Sequence, residues 1–590
     1  MSEEAVISEV SAERIREDVE RIVRELPYRA AGSENGRRMA EYSRAALQQA
    51  GLTDAVVHEL PAIVSFPKHA DFRVEAPTEL AIQANTLGHS LLTPEDGISG
   101  ELVYVGSGAY SDYEGRDVRG KIILTELSYA PARHEKQRIA GQVGAIGAVM
   151  MNWGPPDNAA VPFGSVKPVW GNPTPDNFKT EMPTLPCIGI ARTVGLKLKE
   201  MCAAGPVRVW FRTHVENGWR PVQITVGRMP APEQSPEAAD FILVGGHQDS
   251  WFGEAATDNP TGNACKMELA RVFFRHREKL RRGLMFGFWT AHETGTMAGS
   301  AWFCDRHWDE LREHCVAYLQ IDQPAIIGTT EWNTASNAEL KVFHTEIESR
   351  LLDCPIRWHR AVKNGDSSFF GIGIPMFQGE GAYTEAELKE TALATFGWWH
   401  HSIENRLDKN DWAAMQKHIQ VYAAYLWRLC TEPVLPFRFT PVADELIARL
   451  EQLREAGSSI GLGTALEPAR RLREQAQSLD AATEKEAARF RAGTGSENAA
   501  LLLNSAMKRL SRILVPLQST AIGTYGHDPY GYTPQTTVIP CLYDVPKLAG
   551  MPDGPERWML ETALVRARNR VADGLNDAAD VISVALARLK

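Results

Sequence analysis

The sequence predicts an α/β protein in which a mainly parallel sheet is interrupted by a small separate α/β unit and followed by a helical region. Three observations lead there. From about Val222 apolar runs such as "FILVGG", "RGLMFGFW" and "CVAYLQID" alternate with helical stretches, as in a sheet covered on both faces. Between Gly97 and Thr213 short apolar runs are separated by turns, and after Val434 the apolar spacing turns helical again.

At 590 residues the chain is too long for one ordinary core. Residues 11–50 read as two helices, "IREDVERIVRELP" and "GRRMAEYSRAALQQAG", the second stopped by Gly51, and strands follow. The expected division is 1–96 for the N-terminal part of the main domain, 97–215 for the insert, 216–433 for the main domain and 434–590 for the helices. The helical region is broken by a Tyr/Pro/Gly-rich loop, "GTYGHDPYGYTPQT".

Composition removes several classes of function. A 44% hydrophobic, 23% charged chain is globular, and a formal charge of -11 without a Lys/Arg cluster excludes a general nucleic-acid role. The acidic, helix-patterned start lacks the basic and apolar order of a secretory signal, so a cytoplasmic location is expected. The longest apolar runs fall well short of the roughly 20 residues that span a bilayer, so no membrane partner is expected. Eight scattered cysteines without a CxxC pair read as reduced thiols.

Chemistry-bearing residues gather at the ends of the predicted parallel strands. "FILVGG" leads to His247, with Asp249 two residues on and Asp258 eleven on; "MFGFW" leads to His292 and Glu293; "AYLQI" leads to Asp322. Imidazole and carboxylate together suit zinc or a similar divalent ion. Loops at the carboxyl ends of such strands are where these sheets place their chemistry.

These stretches resemble the M28 family of metallopeptidases. "GGHQDSW", "DNPTG", "WTAHETGTMAGS" and "HSIENRLDKND" stand where the family has its metal-binding elements. "DVRGKIILTE", "GAIGAVMMN" and "LPCIGIARTVGLKL" resemble a protease-associated domain, the combination found in the glutamate carboxypeptidase and transferrin-receptor branch. The resemblance implies two metal ions, zinc first with manganese, iron or cobalt as alternatives. His247 and Asp322 would bind one ion, Glu293 and His401 the other, and Asp258 would bridge them. It further implies that Asp249 orients His247, that the C-terminal helices pair two chains into a homodimer, and that the substrate is a small molecule or short peptide. His400 is the alternative to His401.

"NGDSSFFG" occupies the place of a loop bordering the substrate, so Asp366 and Ser367 are expected at the pocket. One position departs from the pattern. His292 stands where active relatives carry the glutamate that moves protons, which leaves it as a base, a further metal ligand or a mark of altered chemistry. Three classes of function follow: a dinuclear amide hydrolase, a metalloenzyme of another reaction on the same scaffold, and a receptor-like homologue without catalysis.

Overall fold

The computed structural model describes residues 3–589. Its main sheet has eight strands in the spatial order Val56–Pro67, Val215–Met229, Gly283–Trp289, Phe241–His247, Cys315–Gln320, Met376–Ala382, Glu331–Ser336 and Ile356–Arg360. The four strands from Gly283–Trp289 to Met376–Ala382 run parallel. The first two strands pair antiparallel, and so do Met376–Ala382 and Glu331–Ser336, so the sheet is mixed around a parallel centre. The central strands are buried along their whole length, which explains why they read as unbroken apolar runs rather than alternating ones.

Helices cover both faces. Pro260–Arg275 begins with Asn259 accepting from the Gly262 N–H, and Pro260 fits its first turn. The N-terminal helices Ala12–Glu25 and Glu34–Gln49, both predicted, are capped by Ser11 and Ser33. Glu268 accepts from the Ser11 N–H at 2.9 Å and ties this end of the chain to the main domain.

The insert leaves at Pro67 and returns at Val215, which are paired neighbours on adjacent strands. It forms a closed seven-stranded barrel. The barrel takes in His69–Ala76 and Leu80–Thr86, which the expected start at 97 leaves outside. Only the later strands carry the texture that distinguishes an insert in sequence, whereas these two read simply as strands.

The C-terminal helices are Thr440–Leu453, Leu466–Arg491, Glu497–Ser519 and Pro555–Arg588. Among the described residues no helix is long and apolar enough to cross a membrane. A buried ionic knot fastens the helices to the sheet. Arg282, fully buried, donates to Glu237 at 2.7 Å, Asn504 donates to the same carboxylate at 3.0 Å, and Arg281 bonds both Glu237 and Glu497. Removing one member of a buried ion pair leaves the other uncompensated, at about 3–5 kcal/mol. Glu237→Ala is therefore expected to destabilise the protein by about that amount, read as a lower denaturant midpoint. An unchanged midpoint would remove the knot from the account.

Candidate metal centre

His247 is the last residue of its strand, and Gly246 before it lies so close to Ile321 that a Cβ there would collide with the Ile321 carbonyl oxygen. This close approach brings His247 beside Asp322. His247 Nε2 lies 3.0 Å from Asp258 Oδ1 and 3.4 Å from Asp322 Oδ1. The other oxygen of Asp258 faces the opposite way, 3.4 Å from His401 Nε2, and His401 Nε2 is 3.1 Å from Glu293 Oε1.

Four of these atoms, His247 Nε2, Asp258 Oδ1, Glu293 Oε1 and Asp322 Oδ1, are buried and make no hydrogen bond with the described residues despite the short separations. Buried polar atoms are rarely left so. His247, Asp258 and Glu293 can each offer a ligand atom within 4.8 Å of the others', as can His247, His292 and Asp322. Nitrogen and carboxylate donors converging in this way fit a divalent cation.

Electrostatics agree. Burial opposes ionisation of Asp258, yet His247 and His401 hold its carboxyl well below the usual range. Burial likewise disfavours charge on His247, and Asp322, Asp249 and Asp258 outweigh it, raising the imidazole well above its ordinary value. Without another cation the imidazoles must balance the acids by holding protons. Two nearby chain cations are engaged elsewhere, Arg29 with the carbonyls of Leu26, Glu254 and Ala255 and Lys266 with those of Gly246 and Gly287, while Arg133 reaches the cluster only at His401 Nδ1, 3.3 Å away.

The expectation for Asp249 changes in detail. His247 Nδ1 meets the main-chain oxygen of Asp249 at 3.0 Å, while the carboxylate lies 3.7 Å away and accepts the backbone N–H groups of His292 and Glu293, each at 3.2 Å. Asp249 thus holds the His292–Glu293 turn more directly than it holds His247. Glu293 Oε2 accepts from Trp251 Nε1 at 2.7 Å.

Asp366 and Ser367 do not line the cavity as expected, because both are buried behind its wall. Asp366 accepts from Ser300 at 2.8 Å and lies 3.0 Å from His292 Nδ1, and Ser367 accepts from the Asn364 N–H. Their neighbours Asn364 and Gly365 face the cavity instead. His292 feels burial and His247, which lower it, against Asp366, which raises it, and the balance lies at about 9. His400 also reaches the cluster, with Nδ1 3.5 Å from Asp258 and 3.1 Å from the side-chain oxygen of Gln323.

The cavity over these residues has a volume of about 210 Å³ and is walled by all three parts of the chain, including Arg133 and Trp153 of the insert and Tyr530 of the C-terminal loop. The insert also supports the metal-facing loops from behind. His89 Nε2 lies 2.7 Å from the Thr294 carbonyl, Lys167 Nζ donates to the Gly295 and Gly171 carbonyls at 2.7 and 2.5 Å, and the Phe163 N–H donates to the His401 carbonyl at 2.7 Å. Sequence reading missed these residues. The only signal was the Tyr/Pro/Gly-rich loop that contains Tyr530, since a lysine among insert strands looks like any other.

Residues 226–426 match the model of peptidase family M28 and residues 98–198 that of the PA domain. His247, Asp258, Glu293, Asp322 and His401 all lie within the stretch that is similar to peptidase family M28. Carboxypeptidase Q of Xenopus laevis is 22% identical over 402 residues, 65% of this chain and 78% of that protein. The probable lipoprotein aminopeptidase LpqL of Mycobacterium tuberculosis is 24% identical over 250 residues, 41% of this chain and 45% of LpqL. This chain therefore spans less than half the length of LpqL. Among solved structures, an aminopeptidase from Aneurinibacillus sp. strain AM-1 superposes with a TM-score of 0.54 at 18% identity, covering 73% of this chain and 96% of that one. A peptidase M28 precursor from Shewanella amazonensis gives 0.57 at 19%, covering 73% and 97%. At these identities the likeness is one of fold. It matches the M28 domain expected from the strand-end motifs.

Lys167 offers a test of the insert's support. Lys167→Met leaves two buried carbonyls without a donor, at about 1–3 kcal/mol each, and loosens the backbone beside Glu293. The expected result is a less stable protein whose zinc affinity falls roughly tenfold, read by competition with a chromophoric chelator. Unchanged affinity would mean that the M28 domain positions Glu293 alone.

Proposed function

We propose that the chain is a metal-dependent hydrolase of an amide or peptide bond in a small substrate, with two divalent ions at the M28 site. The observation that carries this reading is the set of unpartnered donor atoms on either side of Asp258. His247 and Asp322 would hold one ion, Glu293 and His401 the other, with Asp258 between them. Zinc is favoured by the donor types, and one neighbour in fold, from Bacillus subtilis, is described as a zinc aminopeptidase. When bound, such ions supply Lewis-acid charge and lower the pKa of water.

The remaining work falls to side chains of the chain. With Nδ1 paired to Asp366, His292 keeps Nε2 for the cavity, which is the arrangement a proton acceptor and donor requires. Asp366 fixes the ring and Asp249 fixes the backbone beneath it. The cavity, about 210 Å³ and lined by charged and apolar side chains together, admits a small group.

Elemental analysis is expected to give about two divalent ions per chain, and Asp258→Ala to lose both. Protein that takes up no zinc, manganese or cobalt would sink the dinuclear reading.

For His292, replacement by Ala should leave metal content and fold intact while kcat falls roughly 10²–10⁴-fold. Full activity in that variant would remove His292 from proton transfer. Loss of an ion would mark it as a ligand, a role its ring, stacked at 3.8 Å on that of His247, leaves within reach. A glutamate at this position would meet Asp366, so the variant that reinstates the usual base pairs His292→Glu with Asp366→Asn. Peptidase activity gained there and absent from the parent would favour the second reading, a non-peptidase reaction on the same scaffold.

A further inference from the structure

A second cavity, of about 570 Å³, adjoins the first. Ala132, Asn364 and Tyr530 line both, so the two chambers share a wall. At its centre the Tyr530 hydroxyl donates to Asn364 Oδ1 at 2.7 Å. Gly531, with φ of 69°, lets the C-terminal loop lie against Ala132, where a Cβ would collide.

The linings of the chambers differ in kind. The inner one carries Arg133, His134, Asp258, His292, Asp322 and His401. The outer one is walled by Tyr110, Tyr530, Tyr532 and Tyr543 with Ile139 and Val362. Its one charged lining residue, Lys363, is buried, with Nζ donating to the Asp528 carbonyl at 3.0 Å and lying 4.3 Å from the Trp170 ring centre. Tyr110 also spends its hydroxyl, on Gln142 at 2.5 Å, leaving ring surface for the chamber. A mostly apolar cavity beside one that carries several charged side chains suits a ligand that is polar at one end and apolar at the other.

We propose that the outer chamber binds an apolar arm, aryl or alkyl, of the substrate whose polar end occupies the inner chamber, the two being joined past the Tyr530–Asn364 contact. Passage requires the Tyr530 side chain to turn aside, giving up this hydrogen bond, worth about 1 kcal/mol net, and its ring contacts with His134 and Trp170. The inference rests on the amide-hydrolase reading for the identity of the polar end, but the outer site can be tested without turnover.

The test uses the full-length protein with its metals and the probe 4-phenylbutyrate, with acetate as the same carboxylate lacking the arm. Calorimetry is expected to show phenylbutyrate binding at least about tenfold tighter than acetate, a typical return for an apolar group entering an apolar pocket. Tyr532→Ala and, independently, Val362→Asp should erase that difference. Equal affinity for the two carboxylates, or a preference that both variants leave intact, would overturn the proposal. In parallel, the ratio of kcat/KM for N-(4-phenylbutyryl)glycine over N-acetylglycine should exceed about ten and collapse in the same variants. A preserved binding preference without cleavage of either amide would support the outer site while counting against the hydrolase reading.

Discussion

Buried negative charge at the carboxyl ends of the parallel strands is the constraint on which the rest of the site depends. Asp249, Asp258 and Glu293 are almost wholly removed from water, and Asp322 lies at the same spot. Taking such groups out of water is costly unless something positive or hydrogen-bonding replaces the solvent. Asp249 is satisfied by two backbone N–H groups, but the free oxygens of Asp258, Glu293 and Asp322 are not, and neighbouring Arg29 and Lys266 are committed to carbonyls. Asp258 and Asp322 open onto one cavity. A divalent cation satisfies the geometry and the charge together.

The same constraint explains how the insert is attached. It departs and returns on neighbouring strands, so a long excursion adds little to the difficulty of closing the main sheet. Having returned, it contacts the loops that carry Glu293 and His401 through His89, Lys167 and Phe163. Loops holding uncompensated charge need support from outside their own strands. The backbone of His401 has φ of 56°, a conformation that non-glycine residues seldom adopt, and the Phe163 N–H bonds its carbonyl. The barrel is thus both wall and buttress.

What was legible in the sequence follows from range. Buried parallel strands announce themselves as apolar runs, and a cluster of imidazole and carboxylate groups placed where strands end can be read from local order, as with His247, Glu293 and Asp322. The helices after Val434 were equally plain because their periodicity is local. Asp366 and Ser367 were misplaced because a one-residue change of facing decides whether a loop residue lines a cavity or supports it, and Asn364 and Gly365 took the facing positions. Lys167 and His89 were invisible because their partners are backbone carbonyls more than a hundred residues away. The strands before residue 97 joined the barrel through pairings with distant segments such as Val207–Arg212 and Cys187–Ile190, a choice that period-two patterning leaves open.

The histidine at 292 is best understood with the residue behind it. A lone glutamate carries one negative charge, whereas an ionised Asp366 beside His292, whose imidazole is raised to about 9, carries none in total near neutral pH. The pair therefore makes the site one charge less negative than a glutamate would, while moving the carboxylate back and placing a ring nitrogen at the front. Asp366 is held for this by Ser300, and Ser300 also pairs with Ser368, whose hydroxyl accepts from Trp170 of the insert. The exchange of one acid for an acid and a base thus draws on a buried chain that runs from the insert through "NGDSSFFG" to the cavity. A substitution at 292 alone would leave Asp366 in place, and the properties of this site belong to the pair.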